Sequence, residues 1–215
     1  MNQQSSLWAD AWRRLLANKA AVTGGFILCL FITLAILAPW IAPHSYSYQN
    51  LELGAQPPSS DFLLGTDTLG RDLFSRILYG ARVSLMVGFV ATGVALVIGV
   101  SWGIVAGYFG GRVDSIMMRI VDVLYGLPFI IFIILLMVIF GRNIWLLFGA
   151  IGAVEWLTMA RIVRGQVLTI KTQEYVLAAQ AMGVSNFQMF RKHIFPNILG
   201  PIAVYATLTI PQVML

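Results

Sequence analysis

Five long apolar runs constrain this chain more than any other feature. A bilayer core needs about 20 consecutive, mainly apolar residues per helix. Val22–Ile41, Val83–Tyr108, Ile116–Phe140, Ile144–Ile162 and Ile198–Leu215 meet or approach that length. Of 215 residues, 59% are hydrophobic and 11% charged, whereas average soluble domains run at about 45–50% and about 25%. A soluble fold of this size leaves too much surface in water to hide so much apolar side chain. A water-soluble domain, a disordered chain and a disulfide scaffold are excluded. The chain reads as an all-α, polytopic transmembrane helical bundle. Its one cysteine, Cys29, sits inside the first apolar run and reads as a small packing residue.

The runs divide the chain into a leader (residues 1–20) and a transmembrane domain (21–215), with polar loops at 42–82 and 163–197. Basic residues precede the first run as in a signal peptide, but its apolar core exceeds the usual 7–15 residues or so. Pro39 and Pro43 also interrupt the place of a cleavage site. It reads as an uncleaved anchor with Trp40 at the outer interface. The fifth run is still apolar at Leu215, so a chain cut within or just after a span, and an incomplete C-terminus, are expected. The net charge is +5, and its distribution points to lipid head groups rather than nucleic acid. With a cytoplasmic N-terminus, the inside segments hold Arg13, Arg14, Lys19, Arg112, Arg119, Arg161, Arg164, Lys171, Arg191 and Lys192. The outside segments then hold only Arg71, Arg76, Arg82 and Arg142. Ten against four sets that orientation. In the leader, Trp8, Trp12, Leu15 and Leu16 share a helical face, which suits a helix in the inner membrane interface; an ordinary basic leader is the alternative.

No Gly-x4-Gly-Lys-Ser/Thr phosphate loop, nucleophile elbow or zincin helix is present, and His44 and His193 fall on opposite sides of the membrane. The chain is therefore expected to be no enzyme, with no catalytic, metal or cofactor site of its own. In the second span, Ala91, Ala95, Gly99, Gly103, Gly107 and Gly111 repeat every fourth position. Such a stripe lets helix backbones approach closely in lipid, within the chain or against another subunit. Asp122 and Glu155 are costly inside spans. A local pair with Arg119 accounts for Asp122. Glu155 either lines an aqueous path or is protonated and bonded to a neighbouring helix.

The 42–82 loop carries Gly65-Thr66-Asp67-Thr68-Leu69-Gly70-Arg71-Asp72 before an amphipathic stretch, Leu73–Tyr79. Thr68 is placed to cap that stretch and Asp72 to complement its dipole. In the 163–197 loop, Glu174–Met182 are good helix formers ending at Gly183, which suits a left-handed C′ position. Asn186 is placed to cap a second helix running to about Phe195, with Pro196 before the return to the membrane. Tyr175, Ala178, Ala179 and Met182 share a face and form a low knob that a partner's groove can approach.

This segment resembles the cytoplasmic "EAA" loop of ABC importer permeases, Glu-Ala-Ala-x3-Gly-x9-Ile-x-Leu-Pro. Ala178, Ala179, Gly183 and Pro196 fall in register. Leu177 replaces the usual glutamate, with Glu174 the nearby acid, and His193 and Phe195 replace the Ile and Leu. The Gly65–Asp72 motif resembles that of the dipeptide/oligopeptide and nickel branch. So do Ser75-Arg76, Gly80–Leu85, Gly110–Asp114 and Met159–Gln166, and the likeness is nearest to the oligopeptide permease subunit of the second, "C" kind. The resemblance implies a six-span subunit, of which five spans are visible, in a bacterial inner membrane. It implies a second permease subunit, two ATPase subunits that carry the ATP and Mg, and an extracytoplasmic peptide-binding protein. Glu174, Tyr175, Ala178, Ala179, Gly183 and Pro196 then belong to the ATPase-coupling loop. An ATP-independent channel or secondary transporter is the competing reading, but no inverted repeat supports it. A non-conducting scaffold leaves the long re-entry loop without a purpose.

Overall fold

The computed structural model describes residues 7–141 and 143–214, with the backbone alone for residues 7–11. Expectations for the first six leader residues, for the Trp8 side chain, for Arg142 as an outer charge and for Leu215 fall outside this description. Among the described residues the chain forms helices and no strand. These are α1 (Leu7–Ala17), α2 (Lys19–Ile41), α3 (Leu73–Phe109), α4 (Gly111–Tyr125) and α5 (Phe129–Phe140). They continue with α6 (Ile144–Lys171), α7 (Glu174–Ala181), α8 (Asn186–Met189), a π-helical turn (Phe190–Ile194) and α9 (Phe195–Met214). Helices α2, α3, α6 and the continuous stretch Asn186–Met214 are each long and apolar enough to cross a membrane. Residues 1–85 and 86–215 form two compact units, so the division falls within α3.

In the first unit, the Asn18 carboxamide caps α2 by accepting the Ala21 N–H at 3.2 Å. Helix α2 is apolar all round, and only Ala35 and Ala38 are buried, which leaves Phe26, Phe31 and Ile36 exposed as a lipid-facing helix requires. The amphipathic stretch Leu73–Tyr79 and the second apolar run are one 37-residue helix, α3. Asp72, not Thr68, caps it: its Oδ2 accepts the Ser75 N–H at 2.9 Å and the Ser75 hydroxyl at 2.6 Å.

The third apolar run is not one helix. Helices α4 and α5 meet at an 81° bend across Gly126-Leu127-Pro128. Pro128 has no N–H and disfavours helical geometry at Leu127, so α4 ends at the Gly126 cap and α5 starts afresh. The fourth run extends beyond its apolar part to Lys171, which shortens the following loop.

In the second unit α6 is the spine, with buried residues spaced along it from Phe148 to Ile170. The small-residue stripe of α3 packs against it within this chain. Ala91 and Ala95 are fully buried. A Cβ added at Gly99 would lie 2.7 Å from the Trp156 carbonyl oxygen, at Gly103 2.5 Å from that of Ala160, and at Gly107 3.0 Å from that of Arg164. Helix α6 answers with Gly152, where a Cβ would lie 2.8 Å from the Ala91 carbonyl oxygen. Gly111 does not extend this seam. It follows the end of α3 with a left-handed φ of 54° and has open space around it.

Candidate functional site

The motif Gly65–Asp72 folds into a polar knot. Thr66 donates its hydroxyl to the Gly54 carbonyl at 2.7 Å and accepts the Gln56 N–H at 2.8 Å. Asp67 Oδ1 accepts the N–H groups of Leu69 (2.9 Å) and Arg71 (3.0 Å), while Oδ2 meets the guanidinium groups of Arg71 and Arg76. Desolvation opposes ionisation of Asp67, yet the hydrogen bonds from Arg71 and Leu69 and the Arg71 charge hold its carboxyl at about 2. Desolvation likewise opposes ionisation of Asp72, and the Ser75 hydroxyl and N–H, the Phe74 N–H and His44 overcome it and lower its pKa. Gly70 has a left-handed φ of 67°, and a Cβ there would run into the Asn50 carbonyl.

The loop between α6 and α9 is held differently. Helix α7 ends in a Schellman turn: the Val184 N–H reaches the Ala179 carbonyl at 3.2 Å and the Gly183 N–H that of Gln180 at 2.9 Å. Gly183 takes the required left-handed φ of 77°. Ala179 is not part of an exposed knob. It and Val176 are buried, packed into one cluster with Val163 and Val167 of α6, Met189 of α8, Ile194 of the π turn and Ile198 of α9. The face turned outward carries Tyr175, Leu177, Ala178 and Met182, and Glu174 is exposed at its start. Val176 and Ala179, three residues apart, form the buried stripe, because a short helix docked on apolar spans buries whichever stripe has the right spacing. Thus Leu177, at the position of the usual glutamate, is 50% exposed and free to meet a partner.

The second helix of this loop starts one residue earlier than expected, capped by Ser185, whose Oγ accepts the Gln188 N–H. It also does not stop near Phe195. Pro196 offers no N–H to the residue-192 carbonyl, the preceding turn is widened to π geometry, and the helix continues as α9. One contact ties the loop to the end of α3, and a second ties the end of α6 to it. The Tyr108 hydroxyl donates to Asn186 Oδ1 at 2.9 Å, and Lys171 Nζ donates to the Tyr108 carbonyl at 2.6 Å. The loop is therefore bonded to the ends of three long helices.

Asp122 does not pair with Arg119. It accepts from Arg161 of α6 at 2.7 Å, and the Arg161 guanidinium lies 4.3 Å from the centre of the Tyr125 ring. Asp114 forms a bidentate pair with Arg164, with Nε and Nη2 both at 2.5 Å. The missed signal was a register: Asp114 and Asp122 lie two turns apart on α4, and Arg161 and Arg164 one turn apart on α6. Glu155 is separate. It lines a cavity of about 290 Å³ beneath the α4–α5 bend, with Tyr125, Phe129, Phe132, Thr158 and Gln212. Among the described residues it has no ion-pair partner. No group of three or more metal-ligating side chains occurs among the described residues.

Residues 99–215 match the family model described as "Binding-protein-dependent transport system inner membrane component". Residues 6–58 match "N-terminal TM domain of oligopeptide transport permease C". The chain is 52% identical over 202 residues to the dipeptide transport system permease protein DppC of Bacillus subtilis, covering 94% of this chain and 63% of that protein. It is 47% identical over 206 residues to the oligopeptide transport system permease protein OppC of the same organism, covering 96% of this chain and 68% of the relative. Against OppC of Escherichia coli it is 47% identical over 212 residues, covering 98% and 70%. The chain thus spans about two thirds of the length of these relatives.

Proposed function

The chain belongs to the family of binding-protein-dependent transport inner-membrane components, which are transport permeases and not enzymes, and from that premise we propose that it is the permease subunit of an ATP-driven peptide importer. It forms half of the translocation pathway with a second permease subunit. Two separate ATPase subunits, which bind the ATP and Mg, dock on the Glu174–Pro196 loop from the cytoplasm, and an extracytoplasmic binding protein delivers the peptide. The N-terminus is cytoplasmic, as the Lys/Arg bias asks. Peptide as cargo follows from the names of the relatives, and the choice among peptides lies largely with the binding protein.

The observation that carries this reading is the two-sided build of α7. Val176 and Ala179 sit in the same apolar cluster as α6 and α9, while Tyr175, Leu177, Ala178 and Met182 are exposed. A partner that grips the exposed side and moves when ATP binds pulls on both helices through the buried side. Such a push shifts the transporter between two packings only if the partner's contacts differ between them. The test is Ala178→Arg in the assembled transporter, which leaves the buried anchors alone. Membrane insertion should persist, the ATPase subunits should fail to co-purify, and ATP-driven peptide uptake should fall at least about tenfold, since one misplaced charge at a docking surface exceeds 1.4 kcal/mol. Normal uptake by this variant would sink the assignment of α7 as the coupling helix.

A further inference from the structure

We propose that the cavity at the α4–α5 bend is a subsite for a cationic group of the transported peptide, its terminal ammonium, with the Glu155 carboxylate as the partner. The inference rests on the peptide-importer reading and adds a binding residue to it.

Three carboxylates lie on the helices from α4 to α6, and two are matched by α6 arginines: Asp114 by Arg164 and Asp122 by Arg161. Glu155 sits six residues before Arg161, about 9 Å along the helix axis, and that arginine is engaged by Asp122 and the Tyr125 ring. A carboxylate at this depth is expensive unless it meets water or a cation. The cavity gives it an open side. Thr158, one turn further along α6, and Gln212 of α9 add side-chain oxygen acceptors to the lining, matching in number the three donors of an ammonium. The first turn of α5 also lines the cavity. Phe129 and Phe132 form an apolar wall. At about 290 Å³ the space falls just below the range for a whole ligand, about 300–1,000 Å³, and suits one terminal residue rather than an entire peptide. The site is a charge, two polar neighbours and room.

The test uses proteoliposomes holding the assembled transporter with saturating binding protein. ATP-driven uptake of trialanine is compared with that of N-acetyl-trialanine for the wild-type chain and for Glu155→Gln. The preference of the binding protein is common to both chains and cancels in the ratio. The ratio of free-amine to capped uptake should fall about tenfold in the variant, the scale of a lost charge-assisted hydrogen bond. An unchanged ratio overturns the subsite. Should Glu155→Gln not assemble, Thr158→Lys takes its place: it sets an ammonium one turn from the carboxylate and should cause the same loss, with an unchanged ratio again overturning the subsite. If the wild type shows no ATP-driven uptake of either peptide, the importer reading itself falls and the subsite with it.

Discussion

The loop before α3 and the loop before α9 solve the same problem, ordering polar chain between apolar spans, by opposite means. Residues 50–72 are organised by hydrogen bonds and charge, with Asp67 and Thr66 at the centre. Residues 172–194 are organised by apolar plugs, Val176, Ala179, Met189 and Ile194, driven into a cluster shared with α6 and α9. The polar knot closes largely on itself, so its stability is local and depends on pH. The plugged loop packs its short helices into the long helices it joins. That is the property the proposed coupling role requires.

The contrast is broken most severely by a charge in the plug. Ala179→Arg places an unpaired guanidinium in a site that is 3% exposed and should cost about 3–5 kcal/mol, releasing α7. Amide hydrogen exchange would then show lost protection across 172–194 and unchanged protection across 50–72. Gly70→Ala should act on the other loop alone. A left-handed φ and the Asn50 carbonyl together cost an alanine about 2–3 kcal/mol, read as new proteolysis near residue 70 while 172–194 stays protected. The smallest effect is set by pH. The folded pKa of Asp67, about 2, lies below the ordinary carboxylate value, so its contribution is complete above about pH 4 and lost as pH falls towards 2. Exchange protection in 50–72 should fall across that window and remain in 172–194. Equal acid sensitivity of both loops would remove the distinction.

Much of this was legible in residue order. The apolar runs mark all the long helices, Gly183 marks the end of α7, and Gly99, Gly103 and Gly107 mark the α3–α6 seam. Pro128 was equally visible inside the third run, yet mean hydropathy is blind to a proline that splits a run in two. Sequence proximity points Asp122 to Arg119, whereas its partner Arg161 arrives from 39 residues away.

By itself the sequence determined which segments seek lipid, that α7 ends at Gly183, and which family the chain resembles, because those properties depend on the residues in a local window. Only the tertiary structure decided which face of α7 is buried, which arginine answers which aspartate, and that Glu155 borders a cavity. Each of these depends on what a neighbouring helix presents, and a helix with apolar residues on more than one side carries no mark of the side its neighbour will cover.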